Sequence, residues 1–221
     1  MGEKIKLTAS DGHSFDAYTA GPKDAKKGLI VIQEIFGVNH HIRNVVDQWG
    51  ARGYLAIAPA LFDRAEPGID IGYDADDRKR GMEARAKVPE AGALADIEAA
   101  AKWLGDRPKG VIGFCWGGSM AWLTATRTNA VKAASAWYGG GIAAAKDEKA
   151  RVPVQMHFGE KDGSIPMTDV EAIKKAQPSA EVYVYDGAGH GFNCDERDSY
   201  NAGAAKTATD RSMAFFDKNL V

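Results

Sequence analysis

The stretch "GVIGFCWGGS", residues 110–119, decides how the rest of the chain is read. It opens as an apolar strand and runs into a helical stretch, "GGSMAWLTATR", with Cys115 at the junction and Gly113, Gly117 and Gly118 around it. Cysteine alone needs no such company, because it sits in cores as a small hydrophobe. Clustered glycines do need a reason, either a tight turn or a backbone brought close to another segment. The pattern glycine, any residue, nucleophile, any residue, glycine between a strand and a helix is that of a nucleophile elbow, which exposes the central side chain. A helix starting there also aims its N-terminal N–H groups at the sulfur and favours thiolate. In isolation the same residues also suit, less well, a buried core cysteine beside a helix contact, so the flanking chain has to decide.

On both sides of this stretch strands and helices alternate. "KIKLTA" and "SFDAYTA" read as an antiparallel hairpin with Asp11-Gly12 in its turn. "GLIVIQE" and "GYLAIAP" are continuous apolar runs of the kind buried on both faces of a parallel sheet. A helix is expected between them, from about His41 to Arg52. "DRKRGMEARAKV" and "AGALADIEAAAKWLGD" read as two further helices separated by Pro89. Beyond "GVIGFC" come the strands "VKAASAWYG", "VPVQMHFGEKD" and "AEVYVYDGAGH", alternating with helices around residues 116–127, 168–176 and 200–219. The repeat predicts an α/β fold with a mostly parallel central sheet, helices on both faces and an N-terminal antiparallel hairpin. With 221 residues, 45% of them hydrophobic, one domain spanning 1–221 accommodates all of it.

Composition excludes several functions. The formal net charge is −2 and the basic residues are scattered, so nucleic acid is not an expected partner. No apolar run reaches the ~18 residues of a membrane span, and "MGEKIKLTASDGHSF" has no signal-peptide core. We therefore expect a cytoplasmic protein, not held at a membrane. The two cysteines, Cys115 and Cys194, are then expected as free thiols.

Polar residues just past the strands carry the chemistry, because ligands of open α/β sheets bind outside the carboxyl ends of the strands. Glu34, Cys115, Asp162 and His190 all lie at such positions. The order nucleophile, acid, histidine is that of α/β-hydrolases. In that chemistry His190 takes the Cys115 proton and returns it to the leaving group, while Asp162 fixes the imidazole tautomer. Taken singly, His190 is a loop histidine and Asp162 a turn residue before Gly163. Glu34 is equally a surface carboxylate ending a strand.

The segments "QEIFGVNHHIR", "DIEAAAKWL", "GFCWGG", "AWYGGG", "GEKD" and "GAGHGF" make the chain resemble the dienelactone hydrolases, or carboxymethylenebutenolidases, of the α/β-hydrolase fold. The resemblance runs over almost the whole chain. It implies a hydrolase of lactones or small esters, with Cys115 as nucleophile, Asp162 and His190 completing the triad, and an acyl-thioester intermediate. It further implies that Glu34 holds the resting thiol by a hydrogen bond, and that the backbone N–H groups of Ile35 and Trp116 form the oxyanion hole. Family members that take dienelactone clamp its carboxylate with two arginines. Arg78 matches the first, with Arg80 a neighbouring candidate, whereas Cys194 stands at the second position, four residues after the catalytic histidine. That substitution points to a rival reading, a general carboxylesterase preferring neutral acyl groups; a third is a catalytically silent binding domain. Tyr138 matches a pocket tyrosine of the family but suits a core position as well. Trp116, Trp122 and Trp137 are expected mainly in the core.

Acyl transfer needs only a nucleophile, a base and oxyanion donors, so no cofactor is expected. A metal is not expected either. His40 and His41 are adjacent on a helix, facing different directions, with no cluster of ligands near them in sequence. They and His13 and His157 are assigned to structure or solvent, and a monomer is the favoured state.

Overall fold

A computed structural model describes residues 2–221. The first two strands, β1 (Glu3–Thr8) and β2 (Ser14–Ala20), pair antiparallel, and Gly12 takes the positive φ of 87° that their connection requires. The polar-apolar alternation of β2 is matched by its burial, with Phe15, Ala17 and Thr19 turned inward. β3 (Lys27–Ile32), β4 (Tyr54–Pro59), β5 (Lys109–Phe114), β6 (Ala133–Trp137) and β7 (Val154–Gly159) are covered on both faces, as their unbroken apolar sequences demand. With the partly exposed edge strand β8 (Glu181–Tyr185) they complete an eight-stranded sheet in the order β1-β2-β4-β3-β5-β6-β7-β8. β2 meets β4 antiparallel and every later pairing is parallel.

The helices are α1 (His40–Ala51), α2 (Ala75–Lys87), α3 (Glu90–Trp103), α4 (Trp116–Arg127), α5 (Met167–Ala176) and α6 (Ala202–Asn219). Side-chain caps set three of their starts: Asn39 accepts from the Ile42 N–H, Asp74 from Asp77 and Asn201 from Ala204. Pro89 divides α2 from α3, since it cannot continue the hydrogen-bond ladder of a preceding helix. α1 and α6 touch through Trp49 and Phe216, whose rings lie edge to face at 5.7 Å, while α3 and α4 pack on one another. Two short 3-10 turns, Leu61–Arg64 and Ala143–Ala145, were not expected from the sequence. Both are single turns, too short to leave a periodic pattern.

Because β3, β5, β6, β7 and β8 run parallel, the chain leaves all five at the same edge of the sheet. Residues 33–36, 115–116, 138–141, 160–164 and 186–197 are thereby gathered along one rim. No helix among the described residues is long and apolar enough to cross a membrane.

Candidate active site

The glycines around Cys115 are explained by distance. A Cβ on Gly113 would lie 2.0 Å from the Gly117 carbonyl oxygen, and one on Gly118 would lie 2.3 Å from that of Trp137. On Gly117 it would meet the carbonyl oxygens of Ile32 and Gln33 at 2.4 and 2.5 Å. The first turn of α4 is thus wedged between the ends of β3 and β6, with no room for side chains. Cys115 pays for this turn with φ 55° and ψ −117°, a strained backbone for any residue with a Cβ. Its N–H donates to the Trp137 carbonyl at 3.0 Å, and its carbonyl accepts from Ser119 N–H at 3.2 Å.

Asp162 and His190, from the turns after β7 and β8, are brought together: His190 Nδ1 lies 2.7 Å from Asp162 Oδ2. The other Asp162 oxygen accepts from the Ser164 N–H at 2.8 Å, which fixes the carboxylate plane. The His190 pKa is raised to about 10: burial opposes the charged form, but the hydrogen-bonding neighbours Asp162 and Cys115 outweigh it. The Tyr138 ring lies edge-on to His190 at 5.2 Å and to Phe192 at the same distance. Tyr138 is wholly buried with φ 38°, and it does not border the cleft, so the expected pocket tyrosine is a packing support behind the imidazole. Trp122 and Trp137 are likewise core residues, their N–H groups bonded to Ala145 O and Ser135 Oγ.

Cys115 and His190 open onto a cleft of about 350 Å³. Ile35 and Trp116 border it beside the sulfur, and Trp116, as the first residue of α4, has an N–H with no intrahelical acceptor. The charged side chains in its lining, apart from His190, are Arg78, Arg85 and Arg197. Arg78 and Arg85 come from α2 and have no carboxylate partner among the described residues, whereas Arg80 points away and pairs with Glu66 at 2.6 Å. α2 reaches the rim through Gly81, where a Cβ would lie 1.9 Å from the Ile35 carbonyl oxygen. Arg85 and Gly81 carry no motif of their own; only the approach of α2 reveals them.

Three expectations are corrected here. Cys194 does not stand in for a clamp residue: it is fully buried and does not line the cleft, and the cation that does is Arg197. The reason is local. The chain after His190 turns twice, through Cys194 N–H to Gly191 O at 3.0 Å and Arg197 N–H to Cys194 O at 3.2 Å, so residue 194 faces inward and residue 197 returns to the rim. Second, Glu34 is buried, not a surface carboxylate, and its Oε1 accepts from Arg197 Nη1 at 3.2 Å in place of the expected bond to the Cys115 thiol. A guanidinium is a far stronger partner for a carboxylate than a thiol is. Third, His41 is not isolated: Glu34, His41 and Cys194, from three separate segments, place ligand atoms within 4.8 Å of one another. His157 is a core histidine as expected, bonded to Tyr185 Oη at 2.8 Å and Gln155 Oε1 at 2.9 Å, with burial pushing its pKa down to about 3.

The dienelactone hydrolase family matches residues 15–220. Among curated proteins, the carboxymethylenebutenolidase of Pseudomonas putida is 33% identical over 228 residues, covering 96% of this chain and 95% of its own. A protein of Escherichia coli (strain K12) named "Putative carboxymethylenebutenolidase" is 39% identical over 229 residues, covering 94% of this chain and 83% of its own. The crystal structure of a "Putative Dienelactone Hydrolase" from Klebsiella pneumoniae superposes with a TM-score of 0.82 at 36% identity, covering 97% of this chain and 99% of that one. With the sheet order, the rim and a family match over nearly the full length in agreement, the chain belongs to the dienelactone hydrolase family, as a hydrolase of lactones and carboxylic esters on the α/β-hydrolase fold.

Proposed function

We propose that this hydrolase acts on small lactones or esters that carry a carboxylate, with Cys115 as the nucleophile. One observation carries the reading: a cysteine held at a strained elbow opens, beside a His190–Asp162 pair, onto a cleft whose other charged lining groups are arginines. The Cys115 thiolate attacks the acyl carbon and His190 holds the thiol proton as imidazolium. The oxyanion is met by the N–H groups of Ile35 and Trp116. The bond to the leaving oxygen breaks as His190 returns the proton, which leaves a thioester on Cys115. Water, deprotonated by His190, then cleaves the thioester and restores the thiol.

Arg78 and Arg197 are the proposed ligands of the substrate carboxylate, for which the planar guanidinium fork is suited. Arg197 also holds Glu34, so a substrate carboxylate competes with Glu34 for the same guanidinium, and its arrival changes what Glu34 can touch. The preference for neutral acyl groups drawn from Cys194 loses its basis once Arg197 occupies the rim. All these groups come from one chain, so the reaction asks for neither a second subunit nor a cofactor. It does ask for a free thiol, which suits the cytoplasm.

The test is rapid-quench mass spectrometry with dienelactone and a neutral p-nitrophenyl ester. An acyl adduct mapping to Cys115 is expected, and Cys115→Ala removes both adduct and turnover. Arg78→Met lowers kcat/KM for the acidic lactone about ten- to a hundredfold, the worth of one charged hydrogen bond, with the neutral ester little changed. Arg80→Met, outside the cleft, changes neither. Full turnover by Cys115→Ala refutes the nucleophile, and equal losses on both substrates in Arg78→Met refute the clamp.

A further inference from the structure

We infer that Glu34, His41 and Cys194 form a binding site for a zinc-class divalent cation, separate from the cleft that holds Cys115. The three residues are buried, with ligand atoms within 4.8 Å of one another, and none of them borders the catalytic cleft. Two of those side chains carry a polar atom that has no partner: Glu34 Oε2 and His41 Nε2 are both buried and make no hydrogen bond among the described residues. An unpaired carboxylate oxygen and an unpaired imidazole nitrogen, both buried, are costly to leave empty-handed. Their grouping with a thiol points to a shared ligand.

The surroundings are those of metal ligands. A ligating histidine usually turns its other nitrogen to a carboxylate, and His41 Nδ1 lies 3.5 Å from Asp195 Oδ1, leaving Nε2 free. A ligating carboxylate is usually hydrogen-bonded on its second oxygen, and Glu34 Oε1 takes the Arg197 guanidinium at 3.2 Å. Tyr73, near Cys194, has its hydroxyl held by Asn39 Nδ2 at 2.9 Å. Glu34 is thus oriented by Arg197, and His41 has a carboxylate beside its other ring nitrogen.

Donor chemistry selects the ion. One sulfur, one imidazole nitrogen and one carboxylate oxygen suit zinc and its neighbours, whereas calcium and magnesium call for oxygen. Tetrahedral zinc holds such atoms about 3.5 Å apart, so the three close in by roughly 1 Å on binding and a water completes the shell. The ion displaces the Cys194 proton to solvent, and the resulting thiolate with the Glu34 carboxylate outweighs the single charge of Arg197. Access comes through His41, which with Asn193 and Asp195 lines a second cleft of about 300 Å³ that shares no lining residue with the catalytic one. The site stands without the reaction proposed above; only its effect on turnover, by pinning Glu34, rests on that reading.

The test uses untagged Cys115→Ser protein, in which Cys194 is the one remaining thiol, and cobalt(II) as the probe. Titration is expected to fill one site with a sulfur-to-cobalt charge-transfer band that zinc then abolishes by displacement. Because no other thiol is present, that band identifies Cys194 without any ligand variant having to fold. Asp195→Asn is expected to weaken cobalt about tenfold by freeing the His41 ring. His41→Gln should weaken it further, in protein whose circular dichroism is unchanged. Saturating cobalt without the band overturns the site, as does a band whose affinity is the same in folded His41→Gln.

Discussion

Removing the guanidinium of Arg197 should cost far more stability than removing the charge of its partner. The Glu34 side chain is 1% exposed and that of Arg197 20%, so the two ends of this 3.2 Å pair are not equivalent. In Arg197→Met the long apolar side chain keeps contact with the Phe36 and Tyr73 rings, which now flank the guanidinium at 5.7 and 5.8 Å. The Glu34 carboxylate, however, is left buried with both oxygens unpartnered, because Oε2 already lacks a partner. Stranding a buried charge costs about 3 to 5 kcal/mol, and we take the lower end because the pair lies at the rim of a cleft. For a chain of this size, about 3 kcal/mol lowers Tm by roughly 6 to 12 °C. Glu34→Gln removes the buried charge and leaves Arg197 able to reach water, so we expect a loss of about 1 kcal/mol. The double variant should lose only about 1 kcal/mol, recovering most of what Arg197→Met loses, which is a coupling of about 3 kcal/mol. Urea unfolding of the four proteins measures this without reference to turnover. Equal costs for the two single variants, or additive losses in the double, would refute the account of a buried charge held by one guanidinium.

Two further outcomes follow from the elbow and the histidine pair. Gly117→Ala drives a methyl against the Ile32 and Gln33 carbonyl oxygens and should cost at least ~1 to 3 kcal/mol, the range for overpacking, together with activity. Gly163→Ala, beside Asp162 but with open space at its Cβ, should be close to neutral in the same melts. His190 has its pKa raised to about 10, so the stability it lends is fully present below the ordinary imidazole value of ~6.5 and is lost as pH rises through about 10. Unfolding free energies of wild type and His190→Gln should therefore converge over that window; parallel pH profiles would show that the charged pair with Asp162 contributes nothing.

What could be read from the sequence was what lies within one element or at its end. Unbroken apolar runs such as "LIVI" and "YLAIAP" encode strands buried on both faces, and the glycines around Cys115 encode the sharp turn into α4, because burial and steric room act on neighbouring residues. The insertion of β4 between β2 and β3 left no such local mark. Asp162 and His190 were named from their places after β7 and β8, and the parallel sheet brings those two ends together. Arg197 is reachable from the sequence only as an alternative cation for the second clamp position, because counting four residues from His190 ignores the two consecutive turns that carry residue 197 to the rim. Gly81 was invisible for a related reason: its lack of a Cβ matters only against Ile35, 46 positions earlier, where α2 crosses the rim.

The place of His41 has the most consequence. Neighbours on a helix face different ways, so His40 and His41 do not share one site: His40 turns outward to Glu196 while His41 turns inward. That divergence is what frees His41 to meet partners from elsewhere in the chain. Sequence spacing can exclude a grouping built within one element, but it has no bearing on one formed where the end of β3, the start of α1 and the segment after β8 converge. In a sheet whose parallel strands all discharge at one edge, that convergence is the rule, so a buried polar residue at a strand end or helix start is to be weighed against every other residue on the rim, not only against its neighbours in sequence. By the same logic Arg197 touches both groupings at once. It borders the cleft of Cys115 on one side and holds Glu34 on the other, so a change at either place reaches the other through a single guanidinium.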